Sequence, residues 1–431
     1  MVQVKGKKRW NNLKKLLMLG GSLSQLSAIK KAREMGCYII VCDTNEDAPG
    51  KQYAHEFYNI STTDKEAVLK LAKSLHIDGI VCYAADSGAP TVAYVAEKLG
   101  LPSHPYKSVE ILTNKDLFRK FQKENNFNVP KAKGFNSFDE AKIYFHHFKM
   151  PVMIKPVDSS GSRGVSKIES LDQLEEKVEN ALKFSSSKRF IIEEYIENFG
   201  PHIGGDGFSV DGKLVFRCFS NEYFSKGTNP FVPVITTWPY RMSEHIQEKI
   251  HYEIQRVLDL LNMKTGSYNF DIRVDENENV YLIEIAPRNG GDCNPEATQY
   301  ATGVDLIKYT IKAALGEDCS DLQMVEPIGY WATYVINSDK SGIFKGLEIQ
   351  NDFLEKNVVE HELLVKPNDS ISSLSGSHEK LGLMLLTFNS KSDMHEKLSN
   401  MEDLVKLKVN KLIISLSLPF LILQEKMAIL I

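Results

Sequence analysis

Asp271 and Glu284 are carboxylates in the stretch YNFDIRVDENENVYLIEIAPRNGG, residues 268–291. Residues 268–274 and 280–286 are rich in aromatic and β-branched side chains, and the polar run DENEN between them signals a turn. The pattern predicts two antiparallel strands. In the register where Asp275 faces Val280, leaving a four-residue loop, Asp271 falls opposite Glu284 with Cβ atoms roughly 5 Å apart on one face. Two carboxylates that close repel, and one takes up a proton unless a cation sits between them. A hard ion such as Mg²⁺ prefers oxygen ligands and keeps substrate phosphates in its shell. A solvated acidic hairpin would show the same two residues. Against that, Glu284 lies among Val280, Tyr281, Leu282, Ile283 and Ile285, where an unpaired charge is costly. Pro287, Arg288 and Gly290-Gly291 follow at once.

Upstream lie further residues of chemical interest. Asn114-Lys115 opens a helix, DLFRKFQKEN, and Lys155 ends the apolar strand MPVMIKP. A lysine there would ordinarily point to solvent, but the loop Ser159, Ser160, Gly161, Ser162, Arg163, Gly164 follows. Its backbone N–H groups and hydroxyls suit wrapping around phosphate oxygens, although a surface turn has the same composition. RFIIEEYIENFG, residues 189–200, reads as a buried strand whose end carries Glu193 and Glu194. Such an end can meet a nucleobase through backbone groups and a carboxylate, or be an acidic edge strand.

These residues need a scaffold. From Lys15, KLLMLGGS reads as a buried strand, with a helix at Gln25–Met35, a strand at Cys37–Cys42, a helix at Lys65–Leu75 and a strand at Gly79–Tyr83. That alternation predicts a parallel, doubly wound sheet, with ligands beyond the carboxyl ends of its strands, near Gly20, Asp43 and the Tyr83–Ser87 loop. No G-x-G-x-x-G follows Gly20, so the turn lacks the dinucleotide fingerprint. Beyond Gly316, strands at 328–336, 342–349, 358–365 and 382–389 and a helix at 392–405 suggest a smaller α+β module.

With 431 residues, 42% hydrophobic and 25% charged, there is room for two or three domains. A net charge of −4 gives no sign of a nucleic-acid surface, and the basic run KGKKRW at 5–10 reads as a solvated tail. Six cysteines without C-x-x-C spacing argue for free thiols and a cytoplasmic protein. The first apolar run, Leu16 to Leu19, is too short for a secretory signal. The apolar run 412–423 is a dozen residues against the roughly 20 that a membrane span needs, so packing is preferred to anchoring.

In this order, lysine opening a helix, lysine ending a strand, Gly/Ser loop, Glu-Glu-Tyr-Ile and the two-carboxylate hairpin with Arg288 resemble the ATP-grasp superfamily. The resemblance runs from about Asn114 to Gly316, and the upstream sheet resembles the domain preceding ATP-grasp in carboxylate–amine ligases. It implies ATP and Mg²⁺ or Mn²⁺ as cofactors. Lys115 and Lys155 correspond to the lysines on the nucleotide phosphates, and Ser159, Ser160, Gly161, Ser162 and Gly164 to the loop closing over them. Glu193, Glu194, Tyr195 and Ile196 correspond to the hinge that receives adenine, and Asp206 to a ribose or nucleotide contact. Asp271 and Glu284 match the metal ligands, and Arg288 the arginine that stabilises the transferred group. Many members carry Asn two residues after the second metal carboxylate; here that residue is Ala286, with Asn289 as a nearby substitute.

The implied organisation is a Rossmann-like domain at 1–113 and an ATP-grasp domain at 114–316, with a small lobe near 130–196 and a large lobe near 204–316. An α+β module at 317–411 and an apolar tail at 412–431 complete it. The implied function is an ADP-forming ligase acting on a small-molecule carboxylate and an amine, with a homodimer as the expected assembly. Bicarbonate as phosphoryl acceptor, or nucleotide binding without ligase activity, are the alternatives.

Overall fold

The structure, a computed structural model, describes residues 13–227 and 229–410. The basic run at 5–10 and the apolar tail at 412–431 lie outside the described residues.

The alternation that begins at Lys15 folds as a parallel sheet. β1 (Lys15–Leu19), β2 (Tyr38–Cys42), β3 (Glu56–Tyr58) and β4 (Gly79–Val81) lie in the order β3-β2-β1-β4. Leu16, Leu17, Met18 and Leu19 are all buried, because helices cover both faces of the sheet. α1 (Leu23–Glu34) packs on one face, and α2 (Lys65–Leu75) and α3 (Ala89–Leu99) on the other. α4 (Tyr106–Thr113) and α5 (Lys115–Glu124) then lead out of this unit.

A second, antiparallel sheet follows, in the order β5-β8-β6-β7. Its strands are β5 (Ala132–Phe135), β6 (Val152–Pro156), β7 (Ser166–Ile168) and β8 (Phe190–Glu194). α6 (Phe138–Tyr144) and α7 (Leu174–Lys183) close its core around Phe135, Ile154 and Ile192.

The largest sheet has eight strands. It begins with β9 (His202–Val210), β10 (Lys213–Phe224) and β11 (Pro233–Trp238), and after α8 (Glu244–Leu260) it continues with β12 (Gly266–Val274) and β13 (Val280–Ala286). α9 (Asn294–Thr302) and α10 (Leu306–Ala314) follow. The later strands are β14 (Tyr330–Ile336), β15 (Gly342–Ile349), β16 (Val358–Leu363), β17 (Ser370–Ile371), β18 (Gly382–Phe388) and β19 (Val405–Asn410). β14, β16 and β18 extend the large sheet, in the order β13-β12-β9-β10-β11-β14-β18-β16, while β17-β15-β19 form a small sheet of their own. The stretch 392–405, predicted as one helix, is helical over Lys391–Ser399 and Met401–Leu404 and then turns into β19. The reason is the alternation in VKLKVN, whose Leu407 pairs with Leu347 of β15. Among the described residues no helix is long and apolar enough to cross a membrane.

Candidate active site

Strand β12 sorts its side chains by alternation. Tyr268, Phe270, Ile272 and Val274 are at most 1% exposed in the core shared with α8, which leaves Asn269, Asp271 and Arg273 on the opposite face. Burying each of these apolar side chains contributes roughly 1.5–3 kcal/mol, so a one-residue slip would be costly. Asp271 lies opposite Glu284, as the alternation predicts, but by a different route. Val274, not Asp275, faces Val280, so the loop is residues 275–279, and a bulge that leaves Ile283 without a partner restores the pairing of Asp271 with Glu284.

Each carboxylate already meets a partner. His202 Nε2 lies 2.6 Å from Asp271 Oδ1, and Lys115 Nζ lies 3.4 Å from Glu284 Oε2. Burial acts to raise the Asp271 carboxyl, but the charge and hydrogen bond of His202, with Arg273 and Lys155 beyond, hold it down at about 2. Glu222 stands beside His202 at 3.9 Å, and burial pushes its carboxyl up to about 7 against the pull of that imidazole. The side chains of Asp271 and Glu284 remain 42% and 29% accessible. Two accessible carboxylates facing each other across a strand pair suit a hard divalent cation. Asn289 does not join them. Its side chain is fully buried, and Oδ1 accepts from Ser267 Oγ at 2.9 Å and Thr310 Oγ1 at 2.7 Å. Among the described residues no cluster of three or more His, Cys, Asp or Glu has metal-site geometry.

Lys155 sits opposite Ile191 in the β6–β8 ladder, diagonal to Glu193 on the same face. Its Nζ donates to Glu193 Oε2 at 2.7 Å, and Arg119 Nε lies 2.9 Å from Glu193 Oε1. All three are buried. Burial would raise the Glu193 carboxyl, but the two cations hold it at about 2. Burial also pulls the Lys155 ammonium below its usual value, with Arg119 adding to that and Glu193 opposing it. The Glu193 carboxylate therefore faces Lys155 and Arg119. Glu194 Oε1 accepts from Lys149 N at 2.8 Å. Tyr195 lies between Lys167 Nζ at 4.3 Å and the Arg273 guanidinium at 4.6 Å, and Arg273 Nη1 donates to Ile196 O at 2.5 Å.

The Gly/Ser loop connects with three parts of the chain. Ser159 O accepts from Lys115 Nζ at 2.8 Å, and Arg163 Nε donates to Ser160 O at 3.1 Å. Ser162 Oγ donates to Phe231 O at 2.6 Å, and Asn229 Nδ2 bridges Ser162 O at 3.2 Å and Ser375 O at 2.8 Å. Gly161 O accepts from Ser377 N at 3.2 Å. Gly161 and Gly164, at φ 62° and 71°, take the left-handed turns this path needs.

Arg288 projects toward the parallel-sheet unit. Nε and Nη2 donate to Asp86 Oδ1 and Oδ2, and Nη1 to Asn269 Oδ1 at 3.1 Å and Asn289 O at 2.9 Å. Asn269 stands opposite Ala286, so a carboxamide does reach this point, from the neighbouring strand. Asp206 lies apart from the hinge. It is 1% exposed, with Oδ1 accepting from Gly290 N at 2.7 Å and Asn269 Nδ2 at 3.1 Å, and burial pushes its carboxyl up to about 6. A cleft of about 410 Å³ runs past Lys115, Ser159 and Glu284 to Asp86, Lys65 and Tyr106.

The structure thus gathers Lys115, Ser159 and Glu284 around one opening, places Asp271 opposite Glu284 on the neighbouring strand, joins Lys155 to Glu193, and sets Arg288 on Asp86. Arg119 escaped sequence reasoning. Its one signal is its place four residues after Lys115, hence on the same helix face.

Residues 148–296 match the ATP-grasp domain family, and residues 29–103 match the ATP-grasp N-terminal domain family. The chain is 29% identical over 274 residues to the uncharacterized protein y4rH of Sinorhizobium fredii, covering 62% of this chain and 55% of that protein. It is therefore matched to only about half the length of that relative. It is 25% identical over 423 residues to the formate-dependent phosphoribosylglycinamide formyltransferase of Sulfolobus acidocaldarius, covering 91% of this chain and 96% of that protein. The fold resembles the L-amino acid ligase of Bacillus licheniformis with a TM-score of 0.78 at 19% identity, over 92% of this chain and 99% of that one. With both matched families in their chain order on a shared fold, the chain belongs to the ATP-grasp superfamily.

Proposed function

We propose that the protein is an ADP-forming ligase that phosphorylates a small-molecule carboxylate and transfers the acyl group to an amine. The observation that carries this reading is Glu284 opposite Asp271 across the strand pair and against Lys115 in the cleft, with Lys155 held on Glu193. In this reading the described residues of 114–316 hold the nucleotide between lobes near 130–196 and 204–316, residues 13–113 form the adjoining wall, and residues 317–410 brace it. The six free cysteines, five of them buried, support a cytoplasmic setting.

Asp271 and Glu284 would hold Mg²⁺, which supplies charge neutralisation at the transferred phosphoryl group. Lys115 and Lys155 supply positive charge fixed in advance, the form of stabilisation that lowers such barriers most. A carboxylate oxygen of the substrate bonds to the γ-phosphorus while the bond to ADP breaks, giving an acyl-phosphate. The amine lone pair then attacks the acyl carbon, phosphate leaves with the C–O electron pair, and the amine loses a proton. Arg288, held on Asp86 beside the cleft, would support this second stage by placing a fixed positive charge near the acyl-phosphate. No side-chain nucleophile is required.

The test is an ADP-release screen over amino acids, sugar acids and bicarbonate, each with and without amine acceptors. Release stimulated by an organic acid plus an amine is the expected result. Release that depends on bicarbonate alone would replace the acceptor in this reading, and ATP binding without any stimulated release would overturn it.

A further inference from the structure

Arg119 is only 4% exposed, yet it touches both halves of the site. Its Nε stands 2.9 Å from Glu193 Oε1 as an ion pair, while Lys155 Nζ donates to Oε2. From the same guanidinium, Nη2 donates to Ile283 O at 2.9 Å and Nη1 reaches Leu282 O at 3.5 Å. Those two carbonyls lie where β13 leaves its regular register with β12. Gln122 reinforces the contact, with Nε2 donating to Leu282 O at 2.7 Å and Oε1 accepting from Arg119 Nη1 at 3.0 Å. Helix α5 therefore carries Lys115 at its start, against Glu284, and Arg119 one turn later, against the backbone immediately before Glu284.

Bulged residues leave ladder groups without partners, and buried carbonyls need donors. A planar guanidinium can serve a carboxylate and two carbonyls at fixed relative positions, which a point-like ammonium cannot. If Ile283 rejoined the ladder while Ile272 stayed opposite Leu282, Asp271 would face Ile283 and Glu284 would fall opposite Phe270, on the other face of the sheet. We infer that Arg119 is a positioning residue that sets Glu193, and through it Lys155, while pinning the β13 bulge that turns Glu284 toward Asp271. One side chain then holds the phosphate lysine and the metal carboxylate in a common frame. The inference rests on the ATP-site reading above.

The test uses the full chain with Arg119→Lys and Arg119→Gln. Two quantities are read: affinity for a fluorescent ADP analogue without divalent cation, and Mn²⁺ affinity by electron paramagnetic resonance with ADP present. Arg119→Lys keeps a cation beside Glu193 but loses the fork, so metal-free nucleotide affinity stays near that of the unsubstituted chain while Mn²⁺ affinity falls about 10-fold or more. Arg119→Gln loses both. The inference is overturned if Arg119→Lys binds Mn²⁺ as tightly as the unsubstituted chain, or if it weakens nucleotide and Mn²⁺ by the same factor. Should Arg119→Gln fail to fold, Arg119→Lys alone decides. Failure of the unsubstituted chain to bind ADP would instead overturn the ATP-site reading, and the inference with it.

Discussion

Asp86 and Arg288 are joined by two hydrogen bonds, each 2.8 Å, across 202 residues of sequence. They tie the loop after β4 to the turn after β13. Burial alone would lower the Arg288 pKa, but Asp86, through charge and hydrogen bonds, keeps it above its ordinary value. The guanidinium is thereby permanently charged and fixed in plane.

Asp86→Asn keeps the shape and removes the charge from this pair. A hydrogen bond to a charged group is worth about 1.5–3 kcal/mol, so kcat should fall about 10–100-fold. The KM for ATP should change little, because Lys115 and Lys155 are untouched. Steady-state kinetics with ATP varied check this; an equal effect on both constants would assign Asp86 to nucleotide binding instead.

Removing the paired carboxylates should be more severe. Asp271→Asn combined with Glu284→Gln deletes the two groups assigned to the divalent cation, whose contribution to such transition states is several kcal/mol. A loss of at least about 100-fold in turnover follows. Chelation of divalent cations should abolish activity in the unsubstituted chain, and Mn²⁺ should restore it.

Glu193 and its two cations form a buried unit whose breakage is costly. Glu193→Gln leaves Lys155 and Arg119 without their counter-charge, an effect of about 3–5 kcal/mol measurable by urea unfolding at neutral pH. The native carboxyl is held at about 2, below its ordinary 4.5. Its contribution is therefore complete above about pH 4.5 and is lost as pH falls toward 2. The gap between the two proteins should close over that window.

Asp206 predicts the opposite slope. Its native carboxyl holds the proton up to about pH 6, whereas the unfolded chain releases it near 3.8, so the native state binds more protons between these values. Stability falls as pH rises through that window, by up to about 3 kcal/mol from this group. Asp206→Asn should flatten the segment between pH 4 and pH 6. An unchanged slope would mean that Asp206 is not the group responsible.

The features legible in the sequence are those with local causes. The parallel sheet followed from strand and helix alternation around β1 and β2, and the facing of Asp271 and Glu284 from period-two burial of Phe270 and Ile272. The longer hairpin loop and the bulge at Ile283 were not legible, because donors more than a hundred residues away, Arg119 and Gln122, hold the carbonyls involved. The extension of the large sheet by β14 was hidden for the same reason. Its pairing with β11, Thr236 opposite Thr333, joins segments with no local signal of one another. Glu193 read either as a nucleobase contact or as an acidic edge strand, because nothing nearby in sequence announces the Arg119 ion pair that buries it.

The proposed function turns on phosphoryl transfer from ATP to a carboxylate, with release of ADP. The direct measurement uses a stimulating carboxylate labelled with ¹⁸O, Mg-ATP and the amine, with products resolved by ³¹P NMR and mass spectrometry. The expected products are ADP and inorganic phosphate carrying one ¹⁸O from the carboxylate. AMP and pyrophosphate, with the label in AMP, would contradict it.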